Sequence, residues 1–232
     1  MTPTHVREED GEFVLLEKEA RWLGAKINSM DPQRVFPLCN IGSSTLEFRT
    51  VHQPYIDRYI FAPAREAGRE VKHMDIKAEP GVDVVGDLSD PAFLAELRKM
   101  EFRSLICSNL LEHVENRPPI CESMLAMLPS GGLLFVTCPK DYPFHPDPID
   151  TLFRPSVEEL AALFPGTDLV EGEIVPGETF RDVLNSRPQG ALKWFGRMML
   201  PFLNPSSWKR QLGYWPYLSR PFSATCIILQ KR

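Results

Sequence analysis

The stretch from Arg103 to Pro139, RSLICSNLLEHVENRPPICESMLAMLPSGGLLFVTCP, constrains the fold more than any other part of the chain. It divides into a short apolar strand (Ser104 to Ser108), an acidic turn carrying a histidine (Asn109 to Glu115), a helix over about Pro119 to Leu128, a Gly131-Gly132 turn and a second apolar strand (Leu133 to Cys138). Two apolar runs of strand length joined through one helix favour parallel neighbours, because a parallel pair cannot be closed by a tight hairpin. Ligands of such sheets bind outside the carboxyl ends of the strands, which puts Asn109, Glu112, His113 and the segment after Pro139 on one rim.

The same stretch resembles the region from the end of the fourth strand through the fifth in class I S-adenosylmethionine-dependent methyltransferases of the type 11 kind. There a Glu-His pair follows the fourth strand and a Pro-Gly-Gly turn precedes the fifth. With the upstream segments described below, the resemblance spans roughly Arg34 to Phe164. It implies an α/β, Rossmann-like, seven-stranded and mostly parallel sheet with helices on both faces and an antiparallel last strand. It also implies S-adenosyl-L-methionine as cofactor, with Asn109 and Glu112 among the residues of its site.

Composition sets the outer limits. A chain of 232 residues with 43% hydrophobic and 25% charged residues is long enough for one packed α/β domain with decorations, so 1–232 is expected to be a single domain. A formal net charge of −5 and the lack of a long basic block argue against a nucleic-acid partner. The start, MTPTHVREEDGE, is polar and acidic and does not read as a secretory signal, and no apolar run is long enough to span a bilayer. Four of the five cysteines (Cys39, Cys107, Cys138 and Cys226) fall in apolar strand-like runs and none forms a CxxC pair. Buried, reduced thiols in a cytoplasmic protein are the expectation.

From about Gly11 to Met30, Phe13, Leu16, Ala20, Leu23 and Ile27 recur three or four apart, which predicts an amphipathic helix within an N-terminal segment 1–30. A strand over Arg34 to Asn40 then runs into IGSSTLEFR, where Gly42 lets the backbone turn sharply and approach a ligand. This resembles the methyltransferase cofactor loop, with Asn40, Gly42 and Ser43 in the motif positions. It departs from the pattern in having Asn40 for the usual acidic residue and Ser43 and Ser44 for the later glycines. No Gly-x-Gly-x-x-Gly fingerprint is present, which sets aside a nicotinamide cofactor. Asp75 ends the second strand, where its carboxylate can accept hydrogen bonds from both ribose hydroxyls, although Gly42 and Asp75 stand further apart than the roughly 20 residues of a simple nucleotide unit. Val82 to Val85 form a short third strand, and Asp87 and Leu88 match the family's adenine-binding pair, while Asp90 before Pro91 reads as a helix cap.

Beyond the central unit, Tyr142 to Asp150 is a proline-rich rim loop and a helix opens at Pro155 or Ser156 and ends near Phe164. His113, His145, Glu112, Asp147 and Asp150 are expected to converge there. An imidazole titrates near neutral pH, so His145, and after it His113, are the candidate general bases for removing an acceptor's proton. Such a cluster could alternatively hold a metal, as in some methyltransferases acting on catechol-like substrates. Without a compact HxxxH or HExxH spacing no metal site is assigned. Two final strands, over TDLVEGEIVPG and SATCIILQK, bracket an insert, 178–222, rich in large apolar side chains: Trp194, Phe195, Met198, Met199, Phe202, Trp208, Tyr214, Trp215 and Tyr217. It reads as a lid over the acceptor; peripheral membrane contact through 190–216 and a homodimer contact stay open. The expected activity is methylation, at oxygen, of a small-molecule or glycan-pathway acceptor. A non-catalytic or regulatory binding module on the same fold is the alternative.

Overall fold

The computed structural model describes residues 15–145, 149–186, 188–200, 202 and 205–232. In chain order the elements are α1 (Glu17–Ser29), α2 (Pro32–Val35), β1 (Leu38–Ile41), α3 (Pro54–Ile56), α4 (Ala62–Glu66), β2 (Val71–Asp75), β3 (Val84–Val85), α5 (Pro91–Arg98), β4 (Ser104–Ser108), α6 (Arg117–Met127), β5 (Leu133–Asp141), α7 (Val157–Ala161), β6 (Thr167–Thr179), α8 (Phe180–Ser186), α9 (Pro188–Met199), α10 (Pro205–Leu212) and β7 (Pro221–Lys231). The seven strands form one sheet in the order β3-β2-β1-β4-β5-β7-β6. Strands β1 to β5 run parallel, and β7 lies antiparallel between β5 and β6.

Both faces of the sheet are covered, so the central strands are buried along most of their length. The two-residue period divides their side chains between two cores. Ile106, Phe135 and Ile228 face the side of α1, with Leu23 and Ile27. Leu105, Leu134 and Leu229 face α5, α6 and α7, with Leu97, Met124 and Leu160. All five cysteines are buried and unpaired with one another, four on strands and Cys121 on α6.

Several boundaries differ from the sequence reading. Arg34 begins no strand: Asp31 accepts from Gln33 N at 3.0 Å and Pro32 supplies the first helical position, so 32–35 is a helical turn and β1 starts at Leu38. The expected first turn of the N-terminal helix, with Phe13, lies outside the described residues, and α1 begins at Glu17. The third strand is confined to Val84 and Val85; just before it Asp83 N donates to His73 O at 2.8 Å and the Asp83 carboxylate accepts from His73 N at 2.8 Å. The long passage between Gly42 and Asp75 is taken up by α3, α4 and two π-helical turns, Phe48–His52 and Asp57–Phe61. Asp90 caps α5 and Ser156 caps α7 in a reciprocal pair with Glu159.

Candidate active site at the sheet rim

Two groups of residues meet outside the carboxyl ends of the parallel strands. The first sits over β1 and β2. Gly42 has φ +66°, and a Cβ there would come within 3.1 Å of the Leu110 side chain, so only glycine fits without strain. The turn is held from both sides: Ser43 N donates to Met74 O at 2.9 Å, and Ser44 N donates to Asp75 Oδ2 at 2.9 Å. Asp75 also accepts from Lys77 N at 3.1 Å. A carboxylate has about four lone-pair sites, so Asp75 keeps capacity for further donors. Beneath the turn the buried Arg49 guanidinium binds the carbonyls of Ser43, Ser44 and Gly81, each at 2.7 Å. Asn40 is not at the strand end but one residue inside it, and its amide nitrogen is tied to His73 Nδ1 on β2 at 3.2 Å. Beyond β3, Leu88 is buried, and the exposed Asp87 carboxylate accepts from Ser89 N at 2.8 Å, which holds its pKa below the usual carboxylate value.

The second group lies over β4 and β5 and is almost fully buried. Asn109, at φ +47°, donates from Nδ2 to Glu19 Oε1 at 3.1 Å. Glu19 belongs to α1, where it also accepts from Leu16 N at 3.1 Å, and burial pushes its pKa up to about 7. A cavity of about 10 Å³, room for the centre of one water molecule, separates Glu19 and Asn109 from Tyr142 and His145. Next to it Glu112 is 0% exposed and neither carboxylate oxygen accepts a hydrogen bond. Burial pushes its pKa up to about 8. His113 lies with Nε2 3.7 Å from Glu112 Oε1 and its Nδ1 against the Ile149 carbonyl. The His113 and His145 rings meet edge to face with centroids 5.3 Å apart.

His145 is held by what surrounds it. Its Nδ1 is 3.2 Å from Asp150 Oδ2, and its backbone N–H donates to the same oxygen at 3.0 Å. Arg154 grips Asp150 through two bonds, Nη2 to Oδ2 at 2.7 Å and Nη1 to Oδ1 at 3.1 Å. Burial alone would raise Asp150, but the guanidinium and two backbone N–H bonds win and hold it below its ordinary pKa. Burial lowers that of His145. The premise for His145 as general base, an imidazole titrating near neutrality, is therefore weakened, and the geometry favours a fixed lone-pair donor. Asp147 lies outside the described residues.

Of the sequence candidates, the fold gathers Gly42, Ser43 and Asp75 in one place and Asn109, Glu112, His113, His145 and Asp150 in another. It sets Asn40 apart, turned to His73. Glu19 and Arg154 were not singled out. Glu19 carried a signal: it stands three residues after Leu16 and four before Leu23, a charge on the apolar stripe of its helix.

The insert carries α8, α9 and α10. Trp194 is buried against Phe180, while Leu192, Phe195, Met199 and Phe202, which recur three or four apart, are exposed. A chain of ring contacts, His145, Tyr142, Phe222, Tyr214, Phe180 and Trp194, joins the rim to the insert. The side chains of Lys193 and Arg210 lie outside the described residues. Among the described residues no helix is long and apolar enough to cross a membrane.

No protein-family model matches the chain, and no curated protein does. Solved structures share its fold at low identity. MccD superposes with a TM-score of 0.52 at 14% identity, over 93% of this chain and 97% of that one. Coclaurine N-methyltransferase, bound to N-methylheliamine and SAH, gives 0.52 at 14% over 91% and 69%. The [4+2]-cyclase SpnF gives 0.50 at 16% over 97% and 85%. The chain has the class I methyltransferase fold.

Proposed function

We propose, for a chain with this fold, that it transfers a methyl group from S-adenosylmethionine to a hydroxyl of a small-molecule or sugar acceptor held beside Glu112, His113 and His145. The observation that carries the reading is the Gly42–Ser44 turn locked to the Asp75 carboxylate at the ends of two parallel strands. Asp75 receives the ribose hydroxyls, and Leu88 covers one face of the adenine with Asp87 at its amino group.

Methyl transfer from a sulfonium is an in-line displacement, so the protein acts by alignment and exclusion of water. The acceptor oxygen forms the new O–CH₃ bond as the S–CH₃ bond breaks, and the sulfonium becomes a neutral thioether. The hydroxyl proton passes into the buried cluster, where the Glu19 carboxylate lines the same cavity as His145. The ring contacts running from His145 to Trp194 support the insert 178–222 as the outer wall of the acceptor side. Calorimetry tests the reading: S-adenosylmethionine and its demethylated product should both bind, and absence of binding at millimolar ligand refutes it. The [4+2]-cyclase neighbour keeps a second reading open, another reaction run on the same fold; cofactor binding without any methylated product would favour it.

A further inference from the structure

We infer that Glu112, His113 and His145 form a binding site for one divalent first-row transition-metal ion, with an open position for the acceptor oxygen. The inference deepens the proposed function, and the ion's catalytic role rests on that reading; its binding does not.

One donor atom from each of the three residues lies within 4.8 Å of the other two. Two ligands at about 2.0–2.1 Å from a tetrahedral ion are separated by about 3.3 Å. Glu112 Oε1 and His113 Nε2, at 3.7 Å, need to close by only a few tenths of an ångström. The second observation is Glu112 itself. A fully buried carboxyl group with no hydrogen-bond partner on either oxygen is an expensive arrangement, and a cation between it and two imidazoles removes the expense.

The surroundings of both histidines have the form that ligand imidazoles need. A metal-binding histidine donates its other ring N–H to a carbonyl or carboxylate, which fixes the tautomer and aims the free lone pair. His113 Nδ1 lies against the Ile149 carbonyl, leaving Nε2 toward Glu112. His145 Nδ1 has two acceptors, Asp150 Oδ2 at 3.2 Å and Pro143 O at 3.3 Å, against one distant donor, Arg154 Nη2 at 3.5 Å. Nδ1 therefore carries the proton and Nε2 the lone pair. Asp150 is held in turn by Arg154, so the second ring of contacts is itself anchored. Two imidazoles and one carboxylate select zinc, cobalt, iron or manganese over magnesium or calcium, which prefer all-oxygen cages. Three protein ligands leave a position open, and an acceptor hydroxyl bound there would lose its proton more easily.

The test uses chelator-stripped full-length protein without cofactor. Titration with Co²⁺, followed by visible absorption, and with Zn²⁺, followed by elemental analysis after desalting, should give one ion per chain. Glu112→Gln and His145→Ala should each weaken Co²⁺ binding at least tenfold, and Asp150→Asn should weaken it without removing a ligand. His52→Ala, a change at an exposed histidine, should leave it intact. Circular dichroism shows which variants are folded; Glu112→Gln keeps the size and shape of the side chain and is the variant to rely on if the histidine change unfolds. Overturning results are no stoichiometric binding by the native chain, unchanged binding in folded Glu112→Gln, or Mg²⁺ bound as tightly as Co²⁺. S-adenosylmethionine binding measured on the same samples separates failure of this site from failure of the methyltransferase reading.

Discussion

Asn109 Nδ2 donates to Glu19 Oε1 at 3.1 Å, across 90 positions of sequence. The bond clasps α1 to the end of β4 and carries a carboxylate from outside the sheet into its rim. α1 is thereby part of the site and not only packing around it.

The first prediction follows from that clasp. Glu19→Gln keeps the shape but removes the charge and a proton acceptor, so turnover on the true acceptor should fall by about 10²–10⁴ while S-adenosylmethionine affinity changes little. Equal turnover in the variant would show that the proton leaves by another route.

Asp75→Ala removes the acceptor for Ser44 N and Lys77 N as well as the proposed ribose partner. Hydrogen bonds to a charged group contribute about 1.5–3 kcal/mol, so cofactor affinity should fall by about ten- to a hundredfold in calorimetry. An unchanged dissociation constant would place the ribose elsewhere.

His73 sets a pH prediction away from the rim cluster. Burial first, then the Arg49 guanidinium, with a smaller lowering from Arg65, push its pKa down to about 4 against the opposing Asp83 and Asp57. The folded chain thus binds fewer protons than the unfolded one between about pH 4 and the ordinary histidine value. The stabilisation from a neutral His73 is complete above about pH 6.5 and is lost as pH falls toward 4, by up to about 3 kcal/mol. Denaturation in urea across that range should show a flatter pH dependence in His73→Gln.

Gly24 lies where α1 crosses the helical segment at Tyr59, and a Cβ would stand 2.1 Å from the Tyr59 carbonyl oxygen. Alanine in a helix is ordinarily worth about 1 kcal/mol over glycine, but overpacking costs about 1–3 kcal/mol and this contact is with rigid backbone. Gly24→Ala should therefore lower the melting temperature, by about 2–4 °C per net kcal/mol. A rise would mean that α1 can ride outward freely.

Replacing 190–216 with a short Gly/Ser linker should leave cofactor binding intact and abolish acceptor methylation. If the exposed stripe of Leu192, Phe195, Met199 and Phe202 instead rests on a membrane or a second copy, the deletion will lose liposome association or halve the mass in light scattering.

Much of the scaffold was legible because its signals are local. Gly42, Asp75 and the Glu112-His113 pair each stand where an apolar run stops, and a strand end on a parallel sheet is a rim position. Contacts between distant segments were not legible. Glu19 meets Asn109 only because α1 folds across the rim. Arg154 is only four residues from Asp150, but an irregular proline-rich loop has no period from which its direction could be read. The misplaced first strand has a different cause: Val35 and Phe36 are apolar enough for a strand, but the Asp31 cap and Pro32 start a helical turn first. The insert was legible as rich in large apolar side chains, but a sequence does not say what covers them, and Leu192, Phe195, Met199 and Phe202 lie exposed.

The order of the last two strands also governs how the chain is made. β6 sits at the edge of the sheet with β7 as its one neighbour, and α8, α9 and α10 must all be synthesised before β7 appears. A growing chain therefore carries β6 as an unpaired strand for as long as the insert takes to emerge, exposing backbone that other nascent chains can pair with. Changes in the insert that slow its folding should lower the yield of native protein without altering the activity of the molecules that do fold.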